Sequence, residues 1–125
     1  RLAKYAIGGK PSTVWHSQFS QEKKKHPHEL VIDLGQKRMI NGFYYLARQD
    51  KGWNGTFEET EFYVSDNADH FPEEPYVRCL FKKEKQAQRV EGDTISVRYV
   101  LVRNISEVSG NDFGSAADIA VILAK

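Results

Sequence analysis

Cysteine occurs once in the chain, as Cys79, so no internal disulfide can form. Without a covalent staple the fold has to be held by packing. No run of about 18 apolar residues is present, so the sequence writes no membrane-spanning helix. The first residues, Arg1-Leu2-Ala3-Lys4, show neither an initiator methionine nor a signal-peptide pattern, and read as the start of a fragment excised from something longer. An excess of one charge is missing too: 18 lysines and arginines stand against 17 aspartates and glutamates, interleaved rather than gathered in a stripe. Nucleic acid is therefore not an expected partner. The densest cluster, Lys23-Lys24-Lys25, follows Glu22 without apolar periodicity and reads as a solvated loop.

Catalytic signatures are also missing. There is no G-x-S-x-G elbow, no H-E-x-x-H, no phosphate-binding glycine loop and no cysteine in a nucleophile signature. Glu58, Glu59 and Glu61 lie in and beside one strand pattern. Glu59 and Glu61 share its polar face, which reads as a solvated face rather than as the opposed carboxyl pair of a glycosidase. His26-Pro27-His28 has no third ligand nearby and reads as a turn entering a strand. Asn54 and Asn104 each begin a glycosylation acceptor pattern, a signal too short to carry weight.

What is there is β periodicity. The 125 residues suit one domain with one hydrophobic core. Thr60-Glu61-Phe62-Tyr63-Val64 and Leu30-Val31-Ile32-Asp33-Leu34 alternate with period two, the second stopping at Gly35, so each reads as a strand with one face inward. Apolar runs rich in β-branched and aromatic residues at 39–47, 97–105 and 119–123 read as central strands. Weaker strands are expected at 76–81 and 86–90, joined by the charged turn Lys82-Lys83-Glu84-Lys85. The one helical expectation is a single turn at 12–15, capped by Ser12. Seven or so short strands with frequent turn signals indicate an all-β sandwich.

Three polar and aromatic segments read as loops, where binding residues concentrate on a rigid sandwich. They are Trp15-His16-Ser17-Gln18-Phe19, Arg48-Gln49-Asp50-Lys51-Gly52-Trp53-Asn54-Gly55, and Ser109-Gly110-Asn111-Asp112-Phe113-Gly114. Trp15 alone reads as core, and His16 alone as an ordinary loop histidine. Phe113, in a glycine-rich loop with no alternating neighbour to bury it, is the residue a packing role explains least.

The opening Ala6-Ile7-Gly8-Gly9-Lys10-Pro11-Ser12-Thr13-Val14-Trp15-His16-Ser17 resembles that of the discoidin, or coagulation factor 5/8 type C, superfamily, and within it the bacterial family 32 carbohydrate-binding modules. The likeness continues through Ile32-Asp33-Leu34-Gly35, Ile40-Asn41-Gly42-Phe43-Tyr44-Tyr45-Leu46-Ala47-Arg48-Gln49, Asn54-Gly55, Phe62-Tyr63-Val64-Ser65, Arg98-Tyr99-Val100 and Ser106-Glu107-Val108-Ser109-Gly110. It ends at Ser115-Ala116-Ala117-Asp118-Ile119. Order and spacing, more than any single motif, carry the resemblance.

That resemblance implies a jelly-roll β-sandwich of two antiparallel sheets, galactose-binding-domain-like, with a shallow sugar site in loops at one end. It implies a non-catalytic carbohydrate-binding module that recognises terminal galactose, N-acetylgalactosamine or a related sugar and targets a parent glycoside hydrolase to glycans. By the family pattern the sugar-binding residues are His16, Arg48 and Asn54, with Phe113 and Phe19 as aromatic platforms and Trp53 either covering the sugar or bracing its loop. The implied setting is extracellular, periplasmic or cell-surface, as a monomer tethered to other domains, with no membrane partner. A discoidin-like adhesion module that binds protein or a membrane surface, and a purely structural spacer, are the other readings. The chain departs from the family in three ways. It starts too late to hold the usual first strand, and the terminal cysteine pair of the animal domains is absent. At the structural calcium loop Gly8 stands for the expected aspartate, and Asp118 for the expected glutamate. No cofactor is expected, and the calcium site is expected to be weak or empty, with Lys10 supplying charge beside Asp118.

Overall fold

A computed structural model describes residues 2–4, 13–21, 27–53, 55–110 and 114–124, with the backbone alone for 2–4, 13–21, 114, 115 and 117. The described residues form seven strands: β1 (Leu2–Lys4), β2 (Thr13–Gln21), β3 (His28–Leu46), β4 (Glu59–Ser65), β5 (Val77–Leu80), β6 (Gln88–Asn104) and β7 (Gly114–Leu123). No helix occurs among the described residues. The order across the hydrogen-bonded path is β2-β7-β3-β6-β4-β5, with β1 beside β3.

Two strands are far longer than their sequence patterns suggest, and they make the sandwich. Gly35 does not end the strand at 30–34. The chain passes through a register shift between Asp33 and Arg38 and continues to Leu46. Gly35 adopts φ 86°, a conformation glycine takes at no steric cost, and its N–H donates to Asp33 Oδ1 at 2.8 Å. The segments expected at 86–90 and 97–105 likewise join as β6. Each long strand therefore contributes to both layers. In one layer the first half of β3 pairs with the second half of β6, which pairs with β4, and β4 with β5. In the other, the second half of β3 lies between the first half of β6 and β7, and β7 pairs with β2. Among the described residues the pairings are antiparallel except that of β1, which runs parallel to β3 with Leu2 opposite Val31.

The core fills the space between the layers. Leu30, Val102 and Phe62 form one cross-strand row, and Ile32, Val100 and Val64 the next, all buried. From the opposite layer Phe43 stacks on Phe62 at 4.1 Å between centroids. Tyr45 stacks on Phe57 at 4.6 Å and on Phe81 at 4.8 Å. These offset aromatic contacts add to the area each ring buries. Burial pushes the Tyr45 phenol well above its ordinary value, and its oxygen accepts the Phe57 N–H at 2.8 Å.

Two sequence expectations are corrected. Residues 13–15 do not form a helical turn but begin β2, and Ser12 lies outside the described residues. Glu61 is not on a solvated face. It is buried, accepts from Tyr63 Oη at 2.8 Å and pairs with Arg78 Nε at 2.9 Å. Charged and aromatic neighbours cover that side of β4, which the period-two pattern alone does not register.

Cys79 on β5 lies opposite Thr60, half-buried against the core. Burial pushes its thiol up to about 12 from an ordinary 9.0. Both Cys79 and Tyr45 hold their protons longer folded than unfolded. Their contribution to stability is thus complete below pH 9 and is lost as pH rises toward the folded values. At pH 10 the share of Cys79 is about 1 kcal/mol. Thermal melts of Cys79→Ala against the parent protein between pH 8 and 11 should show a shallower alkaline decline in the variant. Parallel curves would assign the decline elsewhere.

Candidate functional site

Strand β3 ends at Leu46 because its inward alternation stops at Ala47, and the chain turns out as a loop of polar residues. Arg48, two residues past the strand end, has a side chain 32% exposed. Its Nε donates to Asp50 Oδ1 at 2.8 Å and its Nη2 to Asp50 Oδ2 at 2.6 Å. This bidentate pair engages two of the five N–H groups of the guanidinium and fixes its plane. Hydrogen bonding to Arg48 holds the Asp50 carboxyl below its ordinary value, helped by the Gly52 N–H, which donates to Asp50 Oδ1 at 3.0 Å.

The loop is held from outside by the turn between β5 and β6. Lys85 Nζ donates to the Arg48 carbonyl at 2.8 Å and to the Gly52 carbonyl at 2.6 Å, bracketing the loop. The same ammonium lies 4.0 Å from the centroid of the Trp53 ring, with Lys83 Nζ at 5.2 Å. Gln49 Nε2 returns a bond to the Lys85 carbonyl at 2.9 Å. The expected sugar-site residues did not include Lys85, Gln49 or Asp50. Gln49 and Asp50 fall in the loop expected at 48–55 and Lys85 in the charged turn at 82–85, but nothing local says that this turn folds back on residue 48.

Beyond Trp53 the chain is pinned again. Thr56 N–H donates to the Trp53 carbonyl at 3.0 Å, closing a turn in which Gly55 takes φ 85°. Gly55 N–H donates to Oε2 of the buried Glu107 at 2.9 Å, and Phe57 bridges Glu107 across the backbone. Residues on both sides of Asn54 are therefore fixed by hydrogen bonds to the core or its rim. Asn104 is fully buried, its amide donating to the Ser106 carbonyl at 2.8 Å, so in the folded chain it is closed to glycosylation.

Of the six sugar-site residues expected from the resemblance, Arg48 and Trp53 fall in one loop with their side chains described. Asn54 and Phe113 lie outside the described residues. His16 and Phe19 sit on strand β2 rather than in a loop, opposite Ala120 and Ala116 of β7. Their side chains also lie outside the described residues. Because Leu46 faces Asp118 on β7, the register carries Phe19 toward the end of the layer from which Arg48 emerges, while His16 is level with Tyr44.

For the family's calcium, Gly8 and Lys10 lie outside the described residues, and Asp118 is half-buried on β7. Among the described residues no three histidine, cysteine, aspartate or glutamate side chains gather as a metal centre requires. Calcium takes six to eight oxygens, carboxylates among them, and Gly8 supplies none while Asp118 reaches about one methylene less far than glutamate. A chelator should leave the melting temperature unchanged within about 1 °C. A marked drop restored by calcium would overturn this.

Residues 2–119 match the family model described as the F5/8 type C domain. The chain is 29% identical over 120 residues to a sialidase of Micromonospora viridifaciens, covering 95% of this chain and 18% of that protein. It is 29% identical over 121 residues to a galactose oxidase of Gibberella zeae, covering 96% of this chain and again 18% of the relative. The chain thus spans about a fifth of the length of the curated relatives it matches. Among solved structures, a family 32 module of Clostridium perfringens in complex with GalNAc-β-1,3-galactose superimposes with TM-score 0.72 at 25% identity. That match covers 94% of this chain and 80% of the other. A second C. perfringens family 32 module, in complex with galactose, gives TM-score 0.70 at 23% identity over 94% and 81%. A match running from β1 into β7, on the fold of family 32 carbohydrate-binding modules, makes this chain a member of the F5/8 type C domain family.

Proposed function

We propose that the chain is a non-catalytic carbohydrate-binding module that holds terminal galactose-type sugars and targets the secreted or cell-surface enzyme carrying it to glycans. One observation carries the reading. The loop leaving β3 presents a guanidinium whose plane is set by Asp50, and carries Trp53 in the same loop under the Lys85 ammonium, in a fold whose relative at 25% identity was solved with GalNAc-β-1,3-galactose. Galactose has an axial 4-hydroxyl, which leaves one face of C–H groups free to lie on an aromatic ring. A charged guanidinium donates strong hydrogen bonds to hydroxyl oxygens. His16, Asn54, Phe19 and Phe113 complete the proposed site, and Trp53 borders it.

A membrane-docking role is less well supported. It needs apolar loop tips, whereas the large exposed hydrophobics among the described residues, Met39 and Leu80, both lie in strands.

Calorimetry with galactose, N-acetylgalactosamine, N-acetylglucosamine and glucose tests the reading. A shallow site for one ring should give a dissociation constant of roughly 0.1–1 mM for galactose. Glucose should not bind detectably, since its equatorial 4-hydroxyl leaves polar groups unpaired at about 1–3 kcal/mol each. Aryl-galactosides should not be hydrolysed. Equal affinity for galactose and glucose, or turnover lost on mutating a named acid, would overturn the proposal.

Lys85 is the positioning residue of this site. Lys85→Met removes two hydrogen bonds and a ring contact that hold the loop, without touching sugar. Galactose affinity should fall about threefold to tenfold. The conservative Lys85→Arg should recover part of it. Full affinity in Lys85→Met would mean that Asp50 alone sets the loop.

A further inference from the structure

Strand β5 ends the hydrogen-bonded path, so among the described residues one of its edges has no strand beside it. The direction of its backbone groups follows from the residues just beyond it. Phe81 N–H donates to the Glu58 carbonyl at 2.9 Å, toward the β4 side. Lys82 N–H instead donates to Gln88 Oε1 and the Lys82 carbonyl accepts from Gln88 Nε2, each at 2.7 Å, so the Gln88 amide pairs with Lys82 as the peptide group of an adjoining strand would. Backbone groups alternate along a strand with period two, which turns those of Leu80 and Arg78 to the same open side. A cavity of about 330 Å³ opens there, lined by Cys79 and Leu80 of β5 and by Gln88, Arg89 and Val90 of β6.

The side chains on this edge form a pattern of their own. Val77 and Cys79 pack against the core, while Leu80 is 72% exposed. An exposed leucine on an open edge invites another chain to pair with it. Arg78 and Lys82 flank it, two residues to either side. Arg78 reaches Glu61 through Nε with its side chain still 59% exposed, and Lys82 is exposed with no carboxylate in ion-pair distance among the described residues. A second copy of this chain does not fit. Antiparallel pairing of two β5 edges about Leu80 would set Arg78 of each copy opposite Lys82 of the other, and like charges directly opposite destabilise a ladder. Carboxylates alternating with apolar side chains fit all three positions.

We propose that the open edge of β5 docks a partner polypeptide, which adds an extended acidic segment as a further strand, with carboxylates opposite Arg78 and Lys82 and an apolar side chain on Leu80. The ladder supplies affinity and the alternation supplies register.

The test is fluorescence anisotropy of the 125-residue chain with a labelled peptide of about eight residues alternating glutamate and valine, against one alternating lysine and valine. The acidic peptide should bind with a dissociation constant of roughly 10–300 μM at about 20 mM sodium chloride and at least about threefold more weakly at about 500 mM. The basic peptide should bind at least about tenfold more weakly than the acidic one. Lys82→Glu should reverse that order, and Leu80→Ala should weaken the acidic peptide about twofold to fivefold, with melting temperatures unchanged because both side chains are exposed. Acidic peptides N-methylated at alternate residues, in each of the two phases, report on the ladder: at least one phase should lose binding. No binding of the acidic peptide at about 1 mM, equal binding of both peptides, or full binding of both N-methylated phases would overturn the inference. A dimer of the chain alone that Leu80→Asp dissolves would put a second copy on the edge and overturn it as well.

Discussion

Arg48→Ala should abolish galactose binding while leaving the protein folded. A hydrogen bond from a charged group contributes about 1.5–3 kcal/mol. Against the roughly 4–5.5 kcal/mol that a dissociation constant of 0.1–1 mM represents, that loss moves binding beyond calorimetric detection. Stability should scarcely change. Arg48 is part-exposed and Asp50 more so, and an exposed ion pair contributes little. The carboxylate left behind at Asp50 stays hydrated, so no buried charge is stranded. The pair also predicts the acid limit of binding. The Asp50 carboxyl is depressed by its bond to Arg48, so the brace persists at pH 3.8, where an ordinary aspartate is half protonated, and opens only at lower pH. Calorimetry on Arg48→Ala, with Phe113→Ala and His16→Ala beside it, and circular dichroism melts of each, make the measurement. Full galactose binding by Arg48→Ala rules the site out.

Gly42→Ala should be the most damaging single methyl in the described fold. An added Cβ would lie 2.4 Å from the Val90 carbonyl oxygen, 3.1 Å from Ile122 Cδ1 and 3.2 Å from Glu91 Cα. Two of these are backbone atoms of β6, and Gly42 is paired on both sides, with Glu91 and with Ile122. Neither strand can retreat without breaking its ladder. Overpacking of this kind costs about 1–3 kcal/mol, a drop of roughly 3–15 °C in melting temperature for a domain of this size. Gly110→Ala is the control. Nothing lies within 4 Å of a Cβ there, and the cost is only that of alanine at φ 74°, about 1–2 kcal/mol. If Gly42→Ala melts no lower than Gly110→Ala, the β3 to β6 spacing differs from that described.

Much of the fold is legible locally. The alternation at 30–34 and 60–64 gave the inward rows of one layer, and the aromatic run at 43–45 supplied the stacking partners of the other. The strand end that releases Arg48 was legible too, because the inward pattern stops at Ala47. Gly35 misled as a terminator. A glycine at positive φ marks a stop or a bulge equally well, and only the pairing of residues on both sides of it with β6 decides. Glu61 misled because its covering residues, Tyr63, Arg78 and Arg103, come partly from other strands.

The sequence by itself determined the class of fold, most of its strand-forming segments and the family, because period-two burial and the spacing of short motifs are properties of neighbouring residues. Tertiary structure alone decided that β3 and β6 run through both layers, and that Lys85 closes the Arg48 loop from a turn distant in the chain. Those outcomes depend on which segments meet across the sheet. No local pattern encodes a hydrogen bond between an ammonium and a backbone carbonyl, a group every residue carries.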